Sequence, residues 1–186
     1  MDESTLIRRA ANGDAAALEP LMLAHQEAVF RLAYLLLGDP DDAEDVAQET
    51  FLRAWKHLKR FDDTRPLRPW LLSITSNLAS NRRRSAGRYV SALTRAFQNE
   101  PVPASVEEKN VKHMESNTLW KAVQTLNLTD RQIVYLRYFL DMSVIETAEV
   151  LHIAEGTAKS RLSRALEKLR KVIKQDFPML VEGPES

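Results

Sequence analysis

SVIETAEVLHIAEGTAKSRLSRALEKLRKVIK, residues 143 to 174, decides how this chain is read. It encodes a short helix, a tight turn and a longer helix. Ser143 with Glu146 three residues on makes a capping box that starts the first helix. Ile145, Ala148, Val150 and Leu151 give it an apolar side, with Ala148 small where a second helix must pass closely. Ile153 follows the turn and Gly156 opens the second helix, an arrangement suited to two helices crossing steeply, a helix-turn-helix. At the helical period Ala158, Leu162, Ala165, Leu166, Leu169 and Ile173 line one face of the second helix. Thr157, Ser160, Arg164 and Lys171 lie opposite, with Lys159, Lys168 and Lys174 on the flanks. Such a face fits a duplex groove, with cations for phosphates and side chains that reach base edges. By residue type alone it also fits a solvated amphipathic helix.

The remainder of the chain is helical in composition. Its 186 residues are poor in glycine and rich in Ala, Leu, Glu and Arg, enough for one good core or two small ones. The absence of cysteine excludes disulfides and thiolate zinc sites. Four scattered histidines (25, 57, 113 and 152) offer no metal or nucleophile constellation, so neither cofactor nor catalysis is expected. The opening MDESTLIRRAANGD lacks the apolar core of a signal peptide, and the longest apolar run, near Leu35, is too short to span a bilayer. A cytoplasmic chain without membrane insertion is the expectation. The formal net charge is zero, yet the charges are segregated. Residues 39 to 49 hold six acids and no base, residues 156 to 174 hold seven bases and one acid, and Arg82, Arg83, Arg84 and Arg88 form a third cluster. An acidic surface and two basic ones suggest a protein partner and a polyanion bound together.

Breaker residues divide the chain into elements. A helix over 3–11 stops at Asn12-Gly13. Asp14 caps a helix reaching Leu37, with Gly38 as its stop and Pro20 forcing a kink or a later start. Asp39-Pro40 opens a third helix to about Arg60, with Ala43, Val46, Ala47, Phe51, Ala54, Trp55 and Leu58 as its buried stripe. FDDTRPLRP, residues 61 to 69, forms a loop, and Pro69 starts a fourth helix ending near Gly87, with residues 89 to 97 open to a helical extension. The polar, proline-bearing stretch QNEPVPASVEEKN marks the domain boundary. Helices resume near Ser116, and a capping box at Thr129 and Gln132 opens the helix before the helix-turn-helix. The expected architecture is all-α, two small helical domains (1–90 and 116–178) joined by a flexible linker (91–115), with a tail (179–186).

Within this frame the segment DDAEDVAQETFLRAW (41–55) resembles the polymerase-docking helix of bacterial sigma factors. PWLLSITSNLASNRRR (69–84) resembles the region that melts and reads the −10 element, and residues 126–170 resemble the domain that reads the −35 element. Length and the two-domain plan point to the extracytoplasmic-function (ECF) subfamily. The resemblance covers nearly the whole chain except the linker.

It implies residue roles. Asp45, Gln48 and Glu49 would meet a basic coiled coil of core RNA polymerase. The 61–69 loop would pocket a flipped −10 base, with Phe61 and Leu67 as wall candidates, although many relatives carry an aromatic where Leu67 stands. Asn77 and Asn81 would reach base edges, and Arg82, Arg83, Arg84 and Arg88 phosphates; Trp70 is either core or a DNA-stacking ring. At the −35 element, Thr157, Lys159, Ser160, Ser163 and Arg164 would enter the major groove, with Arg161, Lys168 and Lys171 on phosphates. His152 stands where the family often has glycine, and Ala154 where a serine often caps the next helix; both weaken the turn. The implied partners are core polymerase, promoter DNA and an anti-sigma factor, with a monomer when none is bound. A helix-turn-helix repressor would explain residues 126–174 but not the acidic helix, and a helical adaptor would explain the acidic helix but not the basic one.

Overall fold

The computed structural model describes residues 2–96 and 118–176, all helix and connecting turns, with no strand among them. The chain divides into two compact units, Met1–Glu107 and Glu108–Ser186.

In the first unit, α1 (Glu3–Ala11) leads through a 3-10 turn (Ala15–Ala17), capped by Asp14, into α2 (Leu18–Leu37). Pro20 therefore sits in the first turn of α2, where its missing N–H costs nothing, and no kink is needed. Gly38 ends the helix at φ 77°, a left-handed stop that favours glycine. Asp39 caps α3 (Pro40–His57), accepting the Asp42 amide at 2.9 Å. A 3-10 turn (Leu58–Arg60) and an irregular stretch lead to α4 (Leu67–Ala96).

Two boundaries differ from the sequence expectation. α4 starts at Leu67, placing Pro69 in its first turn, because only residues beyond the first turn need the amide that proline lacks. It also runs past Gly87 to Ala96, so residues 91–96 of the expected linker are helical. Residues 97–115 of that linker and the 179–186 tail lie outside the described residues. The first core is built from Leu21, Val29, Leu32, Leu36, Val46, Phe51, Leu58, Leu71 and Leu72 where α2, α3 and α4 meet. Thr50, absent from the expected stripe, is fully buried because its hydroxyl is satisfied by the Val46 carbonyl at 2.8 Å. Ala47 and Trp55 are only half-buried.

The second unit contains α5 (Thr118–Gln124), α6 (Leu128–Val134) widening into a π-helical turn (Tyr135–Phe139), α7 (Val144–Leu151) and α8 (Glu155–Asp176). Trp120, Tyr135 and Phe139 form an aromatic cluster with ring centroids 5.4–5.9 Å apart. The cap of α6 lies two residues earlier than expected. Asn127, not Thr129, accepts the Asp130 amide at 2.9 Å, and the capping pair is Asn127 with Asp130.

Candidate functional site

The α7–α8 turn fixes the basic helix. Ser143 and Glu146 form the expected reciprocal box: the Glu146 amide donates to Ser143 Oγ at 3.1 Å and the Ser143 amide to Glu146 Oε2 at 2.7 Å. His152 takes φ 51° in the turn, the left-handed conformation that its position demands and that glycine would adopt without strain. Ala154 precedes α8 at the cap position and has no hydroxyl to offer its first-turn amides. Ala158, Ala165 and Leu169 are buried against the rest of the unit. Thr157, Lys159, Ser160, Ser163, Arg164 and Lys171 are exposed on the outer side, and Arg161 is half-buried.

Lys168 behaves differently from the phosphate ligand expected of it. Its Nζ lies 2.6 Å from Asp130 Oδ2, and Asp130 is buried, so the pair pins α8 to α6. Lys159 and Lys171 make only exposed i,i+4 pairs, with Glu155 and Glu167. Such pairs contribute little and exchange readily for phosphate.

In the first unit the geometry sorts the arginine cluster. Trp70, Asn77, Asn81, Arg84 and Arg88 recur at helical spacing along one stripe of α4, with both asparagines and both arginines exposed. Arg84 donates to Asn81 Oδ1 at 2.7 Å within this stripe. Arg82 instead reaches α3, 2.5 Å from Asp42 Oδ1 and 3.0 Å from Asp45 Oδ2. Partial burial opposes its charge, but the hydrogen bonds it donates to Asp45 and Asp42 outweigh this and hold its proton more tightly than usual. Arg83 donates to the Leu36 carbonyl at 3.2 Å, closing the C-terminus of α2.

The loop ahead of α4 is held from within. Asp62 accepts the Thr64 hydroxyl at 2.7 Å and its amide at 3.1 Å, and these bonds, the hydroxyl's foremost, lower the Asp62 pKa. Phe61 packs on Trp70 with centroids 4.7 Å apart, and both rings are half-buried at the surface. Trp70 is thus neither core nor free. Leu67 requires a correction: it is fully buried at the start of α4, so it supports the loop from beneath and presents no wall to a base.

On α3, Asp45 and Gln48 are exposed and Glu49 is half-buried, paired with Arg53 at 2.7 Å. Leu52, 53% exposed, continues the same stripe and was missed from the sequence. Its signal was its position, seven residues after Asp45 and four after Gln48, away from the buried stripe. Among the described residues no group of side chains is arranged to hold a metal ion, and no helix is long and apolar enough to cross a membrane.

Residues 21–89 match the Sigma-70 region 2 family and residues 116–169 the Sigma-70 region 4 family. The ECF RNA polymerase sigma factor SigL of Mycobacterium tuberculosis is 34% identical over 167 residues, covering 89% of this chain and 94% of its own. Among solved structures, CnrH in complex with the cytosolic domain of CnrY is 25% identical with a TM-score of 0.72, covering 94% of this chain and 99% of its own. The sigma factor RpoE in complex with the anti-sigma factor NepR, from Bartonella quintana, is 26% identical with a TM-score of 0.66, covering 85% and 97%. The chain belongs to the ECF RNA polymerase sigma factors, the alternative sigma factors of transcription initiation.

Proposed function

We infer that each surface of this sigma factor performs a separable step of promoter recognition. The α3 stripe of Asp45, Gln48 and Glu49, with Leu52 at its end, docks on a basic element of core polymerase. The α4 stripe takes the −10 element: Phe61 and Trp70 receive an unstacked base, Asn77 and Asn81 reach base edges, and Arg84 and Arg88 contact phosphates. The outer side of α8 takes the −35 major groove, with Lys159 and Arg164 closest to the bases and Arg161 and Lys171 on the backbone. Two weak DNA contacts on one chain raise each other's effective concentration, which makes the pair selective. The protein works in the cytoplasm without covalent chemistry, as a monomer between engagements, and opens DNA by capturing bases. An anti-sigma factor controls it, a reading supported by the RpoE–NepR complex.

The observation that carries this reading is the α4 stripe, where aromatic, amide and cationic side chains succeed one another along one exposed line. In vitro transcription with core polymerase tests it. Asp45→Lys with Glu49→Lys is expected to abolish association with core, whereas Arg164→Ala leaves association intact and weakens −35 recognition by about 1–3 kcal/mol. Unchanged promoter preference in Arg164→Ala, or unchanged core affinity in the double charge reversal, would sink the corresponding assignment.

A further inference from the structure

We propose that the N-terminal helix α1 is a positioning element for the −10 loop, acting through Glu3 and Arg8. The proposal rests on the assignment of residues 61–66 and Trp70 to the −10 element. α1 contributes little to the core, since Ile7 is its one buried residue among those described. Its polar contacts converge instead on the loop. Glu3 Oε1 lies 2.7 Å from Nε2 of His25, which is 8% exposed on α2, and Glu3 Oε2 accepts the Leu67 amide at 3.4 Å. Leu67 is the first residue of α4, whose opening amides have no partner within the helix, so Glu3 supplies an anion at the positive end of α4 from a distant helix. Five residues along α1, Arg8 Nε lies 3.2 Å from Asp63 Oδ2 inside the loop.

The loop is thereby tethered at Leu67 and again at Asp63. Between the tethers Thr64, Arg65 and Pro66 stand exposed, shaped by the Asp62–Thr64 turn. His25 makes the first tether directional, because a buried imidazole bonded to one carboxylate oxygen aims the other at α4. α1 lies outside the residues that match the Sigma-70 region 2 family, which begin at residue 21. A sigma factor that sets its loop from α1 can alter −10 preference without changing a residue that touches DNA.

The experiment uses the full chain with core polymerase and a promoter panel carrying single −10 or −35 substitutions. Glu3→Gln preserves shape and removes the charge; Arg8→Glu breaks the second tether; Arg8→Glu with Asp63→Arg restores it in reverse. Discrimination among −10 variants is expected to fall up to about tenfold in Glu3→Gln and about threefold in Arg8→Glu, the smaller effect reflecting the exposure of that pair. Discrimination among −35 variants and affinity for core are expected to stay unchanged, and the charge swap to recover the Arg8→Glu loss. Loss of thermal stability with −10 discrimination kept within about twofold in both single variants overturns the proposal and leaves α1 a packing element. Phe61→Ala is the control: if it too spares −10 discrimination, the loop assignment falls and the proposal falls with it.

Discussion

Lys168→Ala separates two roles that the sequence cannot tell apart. As a backbone ligand, Lys168 would neutralise one phosphate, and its loss would lower the salt slope of duplex binding by about 0.9 with no change in folding. As the partner of Asp130, its loss strands a carboxylate whose side chain is only 9% exposed, with Asn127 Nδ2 at 2.9 Å as its remaining side-chain donor. Breaking a fully buried pair costs roughly 3–5 kcal/mol. Here the lysine side chain is 54% exposed, so water reaches the vacated oxygen and the cost falls to about 1–2 kcal/mol. At roughly 4–8 °C per kcal/mol for a unit of this size, the melting transition of the second unit drops by about 4–16 °C.

The assay is thermal unfolding of the full chain, paired with duplex affinity across a salt series. A double-mutant cycle with Asp130→Asn isolates the pair, and a coupling of about 1 kcal/mol or more is expected. Lys171, 71% exposed and paired only with Glu167, serves as the contrast and should lower the salt slope while leaving the transition in place. An unshifted transition in Lys168→Ala with a reduced slope would refute the reasoning.

Three further outcomes are expected. Ala154→Ser supplies the missing acceptor at the start of α8 and should stabilise the protein by about 1 kcal/mol in urea unfolding; no gain would mean the amides are already satisfied. The Asp62 carboxylate is held below the ordinary aspartate pKa, first by the Thr64 hydroxyl. Its folded pKa is therefore lower than its unfolded one, and the turn's contribution is present at neutral pH and lost as pH falls below the ordinary aspartate range, which resonances of Thr64 should report. Arg82→Ala should raise affinity for core polymerase a few fold while leaving Arg84 and Arg88 to bind DNA; unchanged or lower affinity counts against competition at Asp45.

How far the sequence led depended on the range of the interactions involved. The capping box at Ser143, the Gly38 stop, the Asp39 cap and the left-handed turn at His152 are local, set within four residues, and each was legible. The start of α4 is the boundary that proline alone misplaces. Pro69 suits the first position of a helix, but the first turn accommodates it equally at the third. The arginine cluster failed in a different way. Consecutive residues on a helix fan out by about 100°, so Arg82, Arg83 and Arg84 cannot face one surface. Periodicity shows that they diverge, but not that Arg82 meets two acids 37 and 40 residues earlier, nor that Arg83 meets the Leu36 carbonyl. Lys168 and Leu67 belong to the same class, their roles set by groups brought close only by the fold.

Those long-range pairs bear on how a chain of zero net charge recognises DNA. Arg82 and Asp45 were each expected to meet a different partner, yet they are bonded to one another at 3.0 Å. Both are substantially exposed, at 40% and 62% of their side chains, so the bond is weak enough to exchange. A basic surface arriving at Asp45 competes with Arg82 for the same carboxylate, and an arginine relieved of one acid keeps the other, Asp42, at 2.5 Å. On the proposed docking of polymerase at Asp45, the positive potential near the α4 stripe would rise without leaving a charge stranded. Arg84 and Arg88 on α4 and Arg164 and Lys171 on α8 stand on exposed helix faces where phosphates can reach them. Neutrality overall, with cations concentrated on two faces and one of them restrained by the acids of α3, suits the proposed engagement of DNA only in company with a partner.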